Sequence, residues 1–174
     1  ITLGVIWVTI VGVFLWGQIA AENKQILELA AVEGRAHYNK DLVYRRWSAG
    51  HGGTYVPVSH TTSPNPYLSH IPERDITTPS GKKLTLVNPA YMTRQVHELG
   101  REQYGVKGHI TSLKPLRPSN APDTWETSAL KDFEKGSPEA RTVSSIDGVE
   151  HLRVMRPLIA EKRCLKCHAK QGYK

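Results

Sequence analysis

Residues 1–21 carry no ionisable side chain and are dominated by Ile, Val, Leu, Gly and Trp; charge begins abruptly at Glu22. A backbone surrounded by hydrocarbon must satisfy its own hydrogen bonds, so a single run of this kind folds as an α-helix. At about 1.5 Å per residue it spans roughly 30 Å, the thickness of the hydrocarbon core of a bilayer. Trp16 stands near the far end of the run, where an interfacial indole belongs. The competing reading is the core of a signal peptide. Ala20 and Ala21 are small enough for a cleavage site, but a signal core is usually shorter, so the unbroken length favours a membrane anchor.

Beyond the anchor, residues 22–48 contain no Pro and carry Ile26, Leu27, Leu29, Leu42, Val43 and Trp47, which continues the helix until the glycines Gly50, Gly52 and Gly53. A strand is expected at 54–58, then a loop over 59–72 rich in Pro, Ser, Thr and His. After a turn at Pro79, Ser80 and Gly81, residues 83–87 alternate with period two as a strand. Asn88 caps a helix with Pro89 in its first turn, stopped after Tyr104 by Gly105. Residues 109–113 read as a strand, and a further helix begins at Pro122, carries Trp125, Leu130 and Phe133, and ends at Gly136. A hairpin follows, 142–146 and 151–159 about Asp147-Gly148. Helices and strands alternate without strict βαβ repetition, so the expected class is α+β with an antiparallel sheet and flanking helices. The roughly 150 residues outside the anchor suffice for one domain. The organisation is therefore a transmembrane helix at 1–21 and a domain at 22–174.

Both cysteines of the chain lie in Cys164-Leu165-Lys166-Cys167-His168. C-x-x-C-H is the attachment signature of a covalent c-type haem: two thiols one helical turn apart each add to a vinyl group, and the following imidazole reaches the iron. A bare C-x-x-C also serves as a redox dithiol or as half of a zinc site. The first belongs near a βαβ pattern in a cytosolic protein, and the second needs two more ligands from scattered histidines. One haem is the expected cofactor. Thioether formation takes place outside the bacterial cytoplasm, which puts the domain on the periplasmic side of a bacterial inner membrane as a single-pass protein with a cytoplasmic amino terminus.

The net charge of +7 is dispersed along the sequence. A solvated surface, with a few cations neutralising haem propionates, accounts for it more simply than attraction to anionic lipid or to an acidic redox partner. No nucleic-acid-reading motif accompanies the charge, so nucleic acid is not an expected partner. No Met or basic flank precedes Ile1, and Lys174 follows soon after His168 without a strand to close a sheet. The expectation is a piece of a longer protein, incomplete at its carboxy-terminal end.

The stretches HGGTYVPV, NPYLSHIPERDITTPSGKKLTLVNPAYMTRQ, GVKGHITSLKPLRPSNAPDTWE and CLKCHAKQGYK resemble the haem-binding family catalogued as domain of unknown function 3365. The resemblance implies a PAS-like or Cache-like fold and a role as the extracytoplasmic input domain of membrane histidine kinases. It also implies a closing strand, a second membrane helix and signalling modules further on, so no enzymatic activity is expected of this chain itself. In simpler relatives the second iron ligand comes from the helix matching 89–104, which here offers Met92 and His97. Met92 is the expected distal ligand, with His51 as the alternative and His97 and His37 behind it. Core packing is the plain account of Met92. Tyr91 and Trp125, with Tyr55 and Leu113, are large groups of the kind that cover a haem face. Arg94, with Arg74 and Lys82, suits the propionates. The expected function is a membrane-anchored redox or gas sensor input. The alternative is an electron-transfer cytochrome or a haem-bearing subunit of a larger membrane assembly. The expected partners are the lipid bilayer, a second copy through the helix at 22–48, and a redox partner protein.

Overall fold

The computed structural model describes residues 2–168 and Gly172, without the side chains of Arg163, Lys166 and Cys167. In chain order the elements are α1 (Thr2–Gly50), β1 (Thr54–Pro57), β2 (Asp75–Thr77), β3 (Lys83–Val87), α2 (Pro89–Tyr104), α3 (Thr124–Glu134), β4 (Ala140–Ile146), β5 (Val149–Met155) and a single turn, α4 (Leu165–His168). The fold is α+β, with small antiparallel sheets and helices after the long apolar helix. The strands form two sheets rather than the single one expected, three strands ordered β1-β3-β2 and the pair β4-β5. The chain divides into two compact units, 1–38 with 140–154 and 39–139 with 155–174.

In the first unit α1 begins with an exposed apolar stretch, long and apolar enough to cross a membrane. Further along, Ala31 is completely buried, and Gly34 lets the helix approach β5 so closely that a Cβ there would lie 3.3 Å from Val154. The Arg141 guanidinium donates to both oxygens of Glu28 at 3.0 and 3.1 Å, fastening β4 to the helix. The β4-β5 turn is Asp147-Gly148, with φ of 55° and 80°. Two consecutive positive φ values match the right-handed twist of the strands, which is why Asp-Gly is favoured there. The second strand stops at Met155 and not at 159, because Pro157 has no N–H to continue a ladder.

In the second unit β3 is central, pairing Thr54 with Val87 on one side and Asp75 with Thr85 on the other. The three residues of β2 are too few for a periodic sequence signal. Thr85 is fully buried and donates Oγ1 to Asp75 Oδ1 at 2.6 Å, while Arg74 Nε reaches Asp75 Oδ2 at 2.8 Å. The hydrogen bond from Arg74, then that from Thr85, lowers the Asp75 carboxyl below its ordinary value of 3.8. A depressed carboxyl stabilises the fold above the value it has in the unfolded chain, and this contribution is lost as pH falls through the folded value. Thermal unfolding of the wild type should therefore steepen with acid below about pH 4, and Asp75→Asn should flatten that limb; identical acid limbs would contradict the assignment.

Helix α2 has the expected bounds. Asn88 Oδ1 accepts from the Tyr91 N–H at 3.0 Å, Pro89 opens the first turn, and Gly105 closes the helix at φ 71° with its N–H donating to Arg101 O. Helix α3 starts after Pro122, because Asp123 caps it. The Asp123 carboxylate accepts from Glu126 N at 2.7 Å and Glu126 returns an acceptor to Asp123 N at 2.9 Å, a complete capping box. The strand expected at 109–113 is absent. Residues 105–117 are irregular, and side chains anchor them in place of a ladder: His109 Nδ1 to Glu126 Oε1 at 2.8 Å and Thr111 Oγ1 to Asn120 O at 2.8 Å.

Candidate functional site

A cavity of about 450 Å³ lies within the second unit. One wall is a face of α2, made of Ala90, Tyr91, Arg94, His97, Glu98 and Arg101. The 91, 94, 98 and 101 spacing is three, four, three, the step of a single helical stripe. The irregular segment supplies Lys107 to Ser112 and then Pro115, Leu116 and Arg117, and the carboxy-terminal stretch supplies Leu158, Ile159, Ala160, Cys164 and His168. Arg45, on the last turns of α1, also faces the cavity.

The carboxy-terminal wall is fixed by several contacts. Arg46 Nε donates to Glu161 Oε1 at 2.9 Å, and the Cys164 N–H donates to Glu161 O at 2.7 Å, closing a short helical turn that runs into α4. Cys164 and His168 stand four residues apart, one turn, and so share a face. The Cys167 thiol lies outside the described residues.

The cavity is rich in cations: Arg45, Arg94, Arg101, Lys107 and Arg117 line it against one acidic side chain, Glu98. Arg45 is half-buried. Burial lowers its guanidinium from the ordinary value, opposed by the attraction of Cys164 and Asp41, and it donates weakly to Thr93 Oγ1 at 3.4 Å and Pro89 O at 3.5 Å. Arg94 stacks over the Tyr91 ring, 4.3 Å from its centroid, and approaches Glu98 at 3.9 Å. Tyr91 is itself buried, and its hydroxyl donates to Ser63 O at 3.0 Å. Tyr91→Phe removes that part-buried hydrogen bond, so a loss of about 1 kcal/mol in urea unfolding is expected. An unchanged midpoint would mean that the bond contributes nothing.

Of the residues singled out from sequence, Cys164, His168, Tyr91 and Arg94 share the cavity, and so does His97. Met92 does not. It sits one residue, about 100°, around α2 from Tyr91, off the lining stripe. His51 is exposed in the turn after α1, its Nδ1 2.8 Å from Trp47 O and its ring 4.5 Å from the Trp47 ring, and is not part of the lining. Trp125 lies half-buried on α3 outside the lining, and His37 pairs with Glu33 on α1 at 3.7 Å. Arg74 is committed to Asp75, the Tyr55 hydroxyl donates to the Glu73 carbonyl, and neither these nor Lys82 and Leu113 reach the cavity. The residues not anticipated are Arg45, Arg101, Lys107, His109 and Arg117. The helical stripe through Tyr91 and Arg94 could have pointed to Arg101; the loop residues carry no periodic signal.

Among the described residues no group of three or more His, Cys, Asp or Glu side chains is gathered that could hold a bare metal ion. Comparison with curated proteins and with solved structures finds no match. The family model described as Tll0287-like matches residues 20–173, nearly all of the chain apart from the apolar start of α1, and the chain therefore belongs to the Tll0287-like family, a family of unknown function.

Proposed function

We propose that this chain is a membrane-anchored monohaem c-type cytochrome domain that acts as a redox or gas sensor input. Its haem would be bound through Cys164 and Cys167 and ligated by His168, in a PAS-like domain on the periplasmic side of a bacterial inner membrane. The observation that carries the reading is the convergence of Cys164 and His168 on one cavity whose other walls are apolar and cationic. The size, about 450 Å³, is that of a small-molecule site. Leu68, Ile110, Leu116, Leu158 and Ile159 supply the apolar contact that a porphyrin face needs, and the arginines and Lys107 supply partners for its two carboxylates. Tyr91 and Arg94 act as a packed pair, the ring covering the ligand and the guanidinium held over it to meet a propionate. When bound, the iron supplies a one-electron couple whose potential is set by its axial ligands and by burial.

No catalytic role is assigned to the chain. Its proposed partners are the bilayer along residues 1–21, a second copy along 22–48 and a protein that exchanges electrons with the haem. The experiment is expression in a bacterium able to export the chain and to ligate c-type haem, followed by purification from the membrane fraction. One haem per chain by pyridine haemochrome, retained after denaturation, is the expected result. A chain exported to the periplasm that carries no haem would refute the reading.

A further inference from the structure

We propose that His109, held by Glu126, provides the second axial nitrogen to the iron. The inference rests on the haem reading above and deepens it. A c-type haem whose first ligand is His168 takes its second from a Met, a His or another donor in the same cavity. The chain has two methionines, Met92 and Met155, and neither is among the lining residues. Both cysteines belong to the attachment motif. Of the eight histidines, His97, His109 and His168 line the cavity.

His97 is the more enclosed ring, its side chain 19% exposed. Its Nε2 is held by Asp41 Oδ2 at 2.6 Å, and its ring packs on Gly108 so closely that a Cβ there would lie 2.4 to 2.5 Å from Nδ1, Cε1 and Cγ. His109 is arranged differently. Its Nδ1 bonds Glu126 Oε1 at 2.8 Å, and among the described residues nothing bonds Nε2. The side chain remains 42% exposed while that of Glu126 is 8% exposed, so one nitrogen is fastened to a buried carboxylate on a ring that is itself partly open. This is the arrangement of iron- and zinc-binding histidines, whose second ring nitrogen donates to a carboxylate that fixes the tautomer and raises the basicity of the ligating nitrogen.

Glu126 is in turn fixed by the capping box of α3, which makes it a positioning residue and His109 the ligand. The absence of a strand at 109–113 also acquires a reason, because a ladder would present His109 by strand alternation and not by its bond to Glu126. Lys107 lines the cavity too, but its ammonium must shed a proton before it binds iron, whereas a neutral imidazole need not. Two imidazoles leave no open iron position, so the proposal favours a redox input over a gas input.

The test is spectroscopic and uses the full chain with its haem attached. The wild type should give the low-spin paramagnetic resonance signature of two imidazoles, without the far-red band of thioether-ligated ferric haem, and should bind carbon monoxide poorly. His109→Ala should lose that signature, bind carbon monoxide readily in the ferrous form, and regain low spin with added imidazole. His109→Met should stay low-spin at a higher potential, and Glu126→Gln should stay low-spin with its potential raised. A wild-type spectrum of His–thioether or high-spin type overturns the proposal, even if the variants fail to accumulate. So does an unaltered spectrum in His109→Ala. A haem-free wild type overturns the underlying haem reading instead, so the two failures are distinguishable.

Discussion

Replacing both thiols, Cys164→Ser with Cys167→Ser, is expected to abolish the proposed covalent haem completely. No other cysteine exists in the chain to form a thioether, so loss is total and not graded. Denaturing gels stained for haem should show no band at the mass of the chain, and pyridine haemochrome absorbance should vanish from the acid-precipitated protein. The single variant Cys164→Ser separates the roles of the two sulfurs. It leaves one thioether and one free vinyl, which should move the reduced haemochrome band to longer wavelength without removing it. His168→Ala should retain both thioethers while losing a nitrogen ligand, changing the spin state and not the haem content. Full haem content in the double variant would end the cytochrome reading, because the attachment chemistry would then have no sulfur to use.

The second large effect is on stability. Gly53 has φ +111°, and a Cβ built there would lie 2.7 Å from Leu86 Cδ1 and 3.1 Å from the Val87 carbonyl oxygen. Gly53→Ala therefore combines two costs. A left-handed backbone with a Cβ costs roughly 1–2 kcal/mol, and forcing a methyl against β3 costs about 1–3 kcal/mol more. The sum, about 3 kcal/mol, is a large share of the roughly 5–15 kcal/mol that holds a domain together. Gly81→Ala is the control. Its φ is +82°, but nothing lies within 4 Å of its Cβ position, so it carries only the backbone cost. Urea midpoints should fall for both and clearly further for Gly53→Ala. Equal falls would mean that the close approach to Leu86 and Val87 carries no weight.

Features whose chemistry is local are legible in the amino-acid sequence alone. The apolar start of α1, the Asn88, Pro89 and Gly105 punctuation of α2 and the Asp147-Gly148 turn each depend on a few adjacent side chains, and each lies where the sequence places it. Attributes that depend on distant partners are less visible. Residues 109–113 alternate like a strand, but a strand needs a neighbouring edge, and here Glu126 and Asn120 supply side-chain and carbonyl anchors instead. The start of α3 is displaced because the capping box outweighs the preference of Pro122 for a first turn. The site is legible in its chemistry and not in its enclosure. Cys164, His168, Tyr91 and Arg94 lie together in the cavity, whereas Met92 and Trp125 stand out by side-chain type, and type says nothing of which side of a helix meets a cavity. Arg45, Lys107 and Arg117 cannot be told from the other cations of a basic chain, since what distinguishes them is long-range packing.

Strand β3 ends at Val87 and α2 begins at Pro89, so Asn88 alone joins the central strand to the wall of the cavity. That junction has no slack. One extra residue there would turn α2 by about 100° about its axis, carrying Tyr91 and Arg94 from the cavity toward the direction Met92 now occupies and separating Asn88 from the N–H it caps. Insertions and deletions among relatives should therefore avoid this joint and collect at places such as the exposed Pro79, Ser80 and Gly81 turn, where no side chain of the cavity takes its bearing from chain length.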